Sequence, residues 1–445
     1  VFRADLPELP ELDNLFAPEG VILQAQRLAA AAFGAEQTWF LANGSTCGIE
    51  AAILATCGPG DKLILPRNVH SSAISGLILS GAVPIYIQPS YSAQWDMPLE
   101  VSPSTIKTAL AEHPDARAVL IVSPTYQGIC SDVSAIAQLT HTYNIPLIID
   151  EAHGPHFAFH PDLPDSALSA GADIAVQSAH KVLSAFTQAA MLHVQGVGGA
   201  SPSENRIDRT RLSQALQLTQ STSPSYLLLG SLDAARYQMA TAGKELMSKT
   251  LAMADRAHQE IKKLSGLNVL KSDDRTRLSV DVSPLGITGF DADEILHKKH
   301  GVTCELPDLH TLTFIISLGN TPKDIDQLIW GFTDLSNQSL SNQYPRNRKP
   351  QQRRLEPYSP SRIPPLAHSP RQAFFAPKQP LPLKDAIGKI CAETITPYPP
   401  GIPLLLPGET ITESAIAQLQ TLKNAGSSIT GNTDPTLQTI LTLIH

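Results

Sequence analysis

Cysteine is scarce: five among 445 residues, at Cys47, Cys57, Cys130, Cys304 and Cys391, with no Cys-x-x-Cys pair. An odd, scattered set excludes a disulfide framework and a thiolate metal site, and it fits a reducing cytoplasm. Aromatic residues are few, at 5%. Positive charge is not in excess, since 33 Lys and Arg against 41 Asp and Glu leave a net −8. Nucleic acid is therefore not expected as a general partner. No apolar run approaches the roughly 18 residues of a membrane helix, and no signal-peptide pattern opens the chain, so no membrane partner is expected. Hydrophobic residues, by contrast, make up 42%. That is enough for sizeable cores and excludes an intrinsically disordered chain.

From about Trp39 to Val194 short apolar runs alternate with longer amphipathic ones. Strands are expected at Trp39–Ala42, Lys62–Leu65, Val83–Ile87, Ala118–Val122, Pro146–Ile149, Asp173–Val176 and Ala190–Val194. Helices are expected between them, at Cys47–Cys57, His70–Leu79, Ser104–Glu112 and Val133–Tyr143. Strands apolar on both faces and separated by helices predict an α/β fold with a mostly parallel, seven-stranded-type sheet. Ligands of such sheets sit at the carboxyl ends of the strands. The expected division is an N-terminal arm (1–20), a large domain (21–233), a small α+β domain (234–336), a basic Pro-rich linker (337–372) and a C-terminal α+β unit (373–445). The small domain should open on a helix over Met239–Leu264 and carry strands at Leu278–Val282 and Thr311–Ile316. In the linker, Arg346, Arg348, Lys349, Arg353, Arg354, Arg362 and Arg371 face only Glu356, which reads as a solvated tether or as a basic docking arm. The strip Pro397–Pro403 should be extended and irregular.

Some motifs mislead. Asp150-Glu151-Ala152-His153 is a helicase-type tetrapeptide, but no phosphate loop ending Gly-Lys-Ser/Thr accompanies it. Gly196–Gly199 lacks the spacing of a dinucleotide fingerprint. The histidines lack metal-ligand spacing, so no metal is expected; His153, His156 and Asp150 are the nearest approach to a metal set.

Four features do fall at the ends of expected strands. Asn43-Gly44-Ser45-Thr46 opens a helix with amides and two hydroxyls, which suits a phosphate monoester as well as an ordinary cap. His70, in Arg67-Asn68-Val69-His70-Ser71, can stack on an aromatic ring or simply face water. Asp150 closes an apolar strand, where a carboxylate is costly unless it meets a cation such as a protonated ring nitrogen. In Ser178-Ala179-His180-Lys181, the lysine at the ligand edge can lose solvent, drop its pKa and become a Schiff-base amine, although a lone lysine is more commonly exposed. Together these are the groups that pyridoxal 5'-phosphate (PLP) requires, with the cofactor as electron sink.

The chain resembles the ornithine/lysine/arginine decarboxylase family of PLP enzymes. The matching stretches are Phe40–Gly48, Arg67–His70, Ser123–Tyr126, Asp150–Gly154, Gln177–Lys181, Gln220–Tyr226 and Pro397–Glu409. The resemblance implies PLP fold type I and decarboxylation of a basic L-amino acid, arginine favoured over lysine or ornithine. Lys181 would then bind the cofactor covalently, Asp150 would pair with the ring nitrogen and His70 would stack. Gly44, Ser45, Thr46, Ser178 and His180 would hold the phosphate, with Ala152 and His153 lining the pocket. Ser221 and Thr222 would reach a neighbouring subunit's phosphate, so a homodimer or higher homo-oligomer with shared active sites is implied. Glu409 would face the distal cation of the substrate. Relatives carry a Pro-Gly-His-Lys segment ahead of the part matching Leu6–Gly20. Ser71 and Gln127 also depart from the family's usual Lys and Tyr, which bears on substrate choice. An aminotransferase on the same cofactor and a non-catalytic regulatory homologue remain as alternatives.

Overall fold

The computed structural model describes residues 5–9, 11–195, 206–340, 364–398 and 401–444. Seven strands form the central sheet: β1 (Gln37–Leu41), β2 (Lys62–Pro66), β3 (Val83–Ile87), β4 (Ala116–Val122), β5 (Leu147–Asp150), β6 (Ile174–Gln177) and β7 (Ala190–Val194). Their order is β1-β7-β6-β5-β4-β2-β3. All pair in parallel except β7, which is antiparallel to both neighbours. The expected mostly parallel sheet is present, with each strand within a few residues of its expected place.

Alternation along the strands builds two cores. Leu63, Leu65, Leu120, Ile148, Ile174 and Val176 pack one, beneath helices Gly44–Thr56 and Ser71–Ser80. Ile64, Val119, Ile121, Leu147, Ile149 and Ala175 pack the other, beneath Pro103–Glu112 and Val133–Thr142. Burying each such side chain stabilises by roughly 1.5–3 kcal/mol, so the sheet is a rigid floor for the loops at its carboxyl edge.

The small domain is a four-stranded antiparallel sheet in the order Asn268–Val269, Arg277–Asp281, Thr311–Ile315, Leu306–Pro307. Helices Gly289–His300 and Pro322–Leu340 cover it. The helix expected to begin at Met239 runs instead from Tyr226 to Lys262, 37 residues. The boundary placed between 233 and 234 therefore falls inside a continuous helix. Its N-terminal part (Leu229, Leu232, Met239, Met247, Leu251) packs against the large domain. Its second half (Ala254, Ala257, Ile261) packs under the small sheet, so the handover lies near 251–254.

The linker is also redrawn. Residues 341–363, with all its basic side chains except Arg371, lie outside the described residues. Residues 337–340 finish helix Pro322–Leu340, and helix Pro370–Phe375 crosses the boundary set at 373. Arg371 is not an arm: its Nη1 donates to the carbonyls of Ile78 and Leu79, satisfying the C-terminus of helix Ser71–Ser80. In the C-terminal unit, Lys378–Pro382 pairs with Thr439–Leu443 over a core of Ile395, Leu405, Ile411, Leu419 and Ile440. The proline strip holds one short strand, Thr396–Tyr398, with Pro397 opposite Ile429. A two-stranded sheet has edges enough to place a residue that cannot donate to the ladder. Leu406 enters the first core of the large domain and so docks this unit on it.

Candidate active site

The loops after β1, β2, β4, β5 and β6 meet at the carboxyl edge. After β1 the chain turns at Gly44 (φ +78), a conformation that favours glycine, directly into helix Gly44–Thr56. Gly48 lets that helix sit on the sheet, since a Cβ there would lie 2.7 Å from Leu41 and 2.8 Å from Val176. No side chain caps the helix, leaving its first amides aimed along the positive end of the dipole. Ser178 Oγ donates to Ser45 Oγ at 2.8 Å, joining two hydroxyls from separate strand ends into one cradle. Ser178 is fully buried, whereas Thr46 is exposed. Around them Gln220 Oε1 accepts from Ala42 N, Gln188 Nε2 donates to Ala42 O, and Ser221 N donates to Asn43 Oδ1. The side chains of Ser221 and Thr222 are exposed in this chain.

Asp150 ends β5, buried, with Oδ1 accepting from Ala152 N at 3.2 Å. Lys181, in the short helix Ala179–Val182, places Nζ 3.0 Å from His153 Nε2 and 5.5 Å from the centroid of Tyr126. Burial pushes the Lys181 pKa down and Arg277 pushes it further, against the pull of Asp150 and Glu305. The amine thus sits in the field of Asp150. His70 caps helix Ser71–Ser80, its Nδ1 accepting from Ser72 N at 3.2 Å. Burial and Lys181 lower its pKa while Asp150 raises it, so His70 faces both groups as a neutral ring. Burial and Lys181 likewise lower the pKa of half-buried His180. Ala152 and His153 are buried beside the lysine.

Two site residues were not foreseen. Tyr126 packs against His153 with ring centroids 4.1 Å apart and the rings tilted by 51°. Arg277, from the small domain, is fully buried and donates from Nη2 to His153 O at 2.9 Å. The available signal was an arginine opening an apolar strand, where a charge must have a partner. His156 turns away to Asp274 at 3.1 Å, so it does not join Asp150 and His153 around a common point.

Glu409 is corrected. It is fully buried, and Arg67 takes both its oxygens: Nε to Oε1 at 2.7 Å and Nη2 to Oε2 at 2.8 Å. Leu406 N adds a third hydrogen bond at 3.0 Å. A carboxylate saturated by a guanidinium fork does not face a substrate cation.

The whole fold aligns with lysine decarboxylase A of Pseudomonas aeruginosa at TM-score 0.82 and 22% identity, covering 99% of this chain and 74% of that one. A structure of SPT with PLP aligns at TM-score 0.56 and 14% identity, over 72% of this chain and 77% of that one. These likenesses define the class, fold type I of the PLP enzymes. Residues 1–281 match the Orn/Lys/Arg decarboxylase major domain and residues 361–434 its C-terminal domain. The arginine decarboxylase of Bacillus subtilis (strain 168) is 39% identical over 446 residues, 98% of this chain and 88% of that protein. The chain belongs to the Orn/Lys/Arg decarboxylase family.

Proposed function

We propose that the protein decarboxylates a basic L-amino acid, arginine before lysine or ornithine, to the corresponding amine and CO₂ with PLP as cofactor. The observation that carries this is the half-buried Lys181 amine, in the field of Asp150, in a chain 39% identical to an arginine decarboxylase. The residues fit the cofactor. The uncapped helix end with Gly44, Ser45, Thr46 and Ser178 suits its phosphate, with His180 nearby. Lys181 supplies the amine that would hold its aldehyde carbon, and His70 supplies a neutral ring that would stack on it.

When bound, PLP supplies a protonated pyridine ring that accepts the electron pair of the broken Cα–carboxylate bond. Asp150 would hold a proton on the ring nitrogen. Ala152, His153 and Tyr126 exclude water from the side of the lysine, which favours losing a charged carboxylate as neutral CO₂. A proton is then returned to Cα from this side, and the product is agmatine, cadaverine or putrescine. Ser221 and Thr222, exposed in a single chain, would complete the phosphate site of a partner in a homodimer. All five thiols are unpaired and four are buried, which suits a reducing cytoplasm; among the described residues no helix is long and apolar enough to cross a membrane.

One observation favours the aminotransferase alternative: a buried arginine, Arg277, stands close to the lysine, as an α-carboxylate anchor would. Its Nη2 is already engaged by His153 O, which supports the decarboxylase instead. Arginine, lysine and ornithine offered in competition, with products read by mass spectrometry, test the reading. Agmatine in excess is expected; keto acid without CO₂, or no turnover with PLP supplied, would overturn it.

A further inference from the structure

A second use of Arg277 follows from its geometry and rests on the proposed decarboxylase reading. The guanidinium reaches His153 from the small domain, Nη2 lying 2.9 Å from the backbone oxygen and 3.5 Å from the ring Nδ1. On the far side of the same ring, Nε2 lies 3.0 Å from Lys181 Nζ. An ion pair steadies the arm, with Asp274 Oδ2 3.4 Å from Nε and Asp274 held in turn by His156 and Thr276. Gly128 leaves room for its stem, since a Cβ there would lie 2.7 Å from Arg277 Cγ.

A guanidinium only donates and does not deprotonate. Nδ1 of His153, facing it, therefore holds a lone pair, and the single proton of the neutral ring sits on Nε2, pointing at Lys181. We infer that Arg277 is a positioning residue that locks His153 in the Nε2–H tautomer, so that His153 donates a hydrogen bond to the free amine of Lys181 and Lys181, not His153, returns the proton to Cα. The physics runs both ways. A free amine accepts that hydrogen bond, whereas an ammonium meets an N–H with no acceptor to offer and gives up its proton readily. Neutral imidazole is a poor acid, because losing its remaining proton would leave an imidazolate. The proton balance closes: Lys181 arrives as ammonium after taking a proton from the substrate's amino group, protonates Cα and leaves as amine. The other groups facing this pair do not alter the assignment. Asp150 and Glu305 favour the ammonium, while His70, His180 and Tyr126 present neutral rings.

The test is ¹⁵N solid-state NMR of the histidine-labelled holoenzyme, with the His153 signals identified by their loss in His153→Gln. The expected result is a lone pair on Nδ1 and a proton on Nε2. In Arg277→Met the proton should move to Nδ1, and kcat should fall about 100-fold with little change in KM. Arg277→Lys, which keeps a donor, should restore the tautomer and part of kcat. A proton on Nδ1 in the wild type overturns the inference, whether or not Arg277→Met folds. A raised KM with the tautomer unmoved also overturns it, making Arg277 a substrate ligand. Absence of amine product in the wild type would sink the proposed reaction while the NMR still judges the tautomer.

Discussion

Glu409 and Arg67 stand 342 residues apart in the chain and are 0% and 3% exposed at their side chains. Besides the carboxylate, Arg67 donates to the carbonyls of Pro403 and Leu404 at 2.9 and 3.1 Å. It lies three residues before His70, whose ring would lie 3.5 Å from a Cβ placed at Gly401 of the same C-terminal loop. The pair therefore fastens the C-terminal unit to the loop that carries a site histidine. Glu409→Gln removes the counter-charge but leaves the guanidinium buried, and breaking such a pair costs about 3–5 kcal/mol. That is a large fraction of the roughly 5–15 kcal/mol that holds a domain folded. The expected outcome is an earlier first transition in urea, read by far-UV circular dichroism, with KM for arginine unchanged in the molecules that remain folded. The double replacement Arg67→Met with Glu409→Leu should recover most of the loss, because two apolar side chains leave no orphaned charge. A KM raised tenfold or more with undiminished stability would refute this reasoning and return Glu409 to the substrate.

Lys181→Ala should abolish turnover and the cofactor that borohydride fixes to the protein, while the unfolding midpoint stays level or rises, because a cation held against burial has been removed; retained decarboxylation would end the proposed mechanism. Glu151 is fully buried and its pKa is pushed up to about 8, first by burial, although Gln177 Nε2 and Ala167 N both donate to it. Its folded pKa lies above its unfolded one, so its contribution is complete below about pH 4.5 and is lost as pH rises through 8. Stability should therefore fall over that window in the wild type and fall less in Glu151→Gln, as followed by urea melts at stepped pH; parallel curves would show that Glu151 does not titrate there.

The sheet was legible because burial on both faces leaves unbroken apolar runs, and β2, β4 and β5 are such runs. Asp150, Lys181, Ser45 and His70 were legible because each lies within a few residues of a strand's carboxyl end, where topology alone puts the ligand. The start of helix Tyr226–Lys262 was not legible. Its apolar stripe passes from one core to the other without a break, and neither a proline nor a glycine cap marks the change of domain. Glu409 was misread for a different reason. A motif shows that a carboxylate sits near a site, but only the folded chain shows which cation reaches it first. Arg67, already noted in the loop before His70 and otherwise without a role, was the candidate to consider.

Arg277 and Arg67 together show how distant segments govern one edge of a sheet. Each is buried, and each ties a distant segment to a loop that carries a histidine: Arg277 reaches the His153 loop from the small domain, and Arg67, in the His70 loop, holds the C-terminal unit. Both histidines then use Nδ1 as an acceptor, His70 from Ser72 N and His153 from Arg277, so both present Nε2–H to the site as neutral rings. Arg277 lies outside the strand-end motifs and Arg67 within one, and each ties a distant segment to a loop of the site.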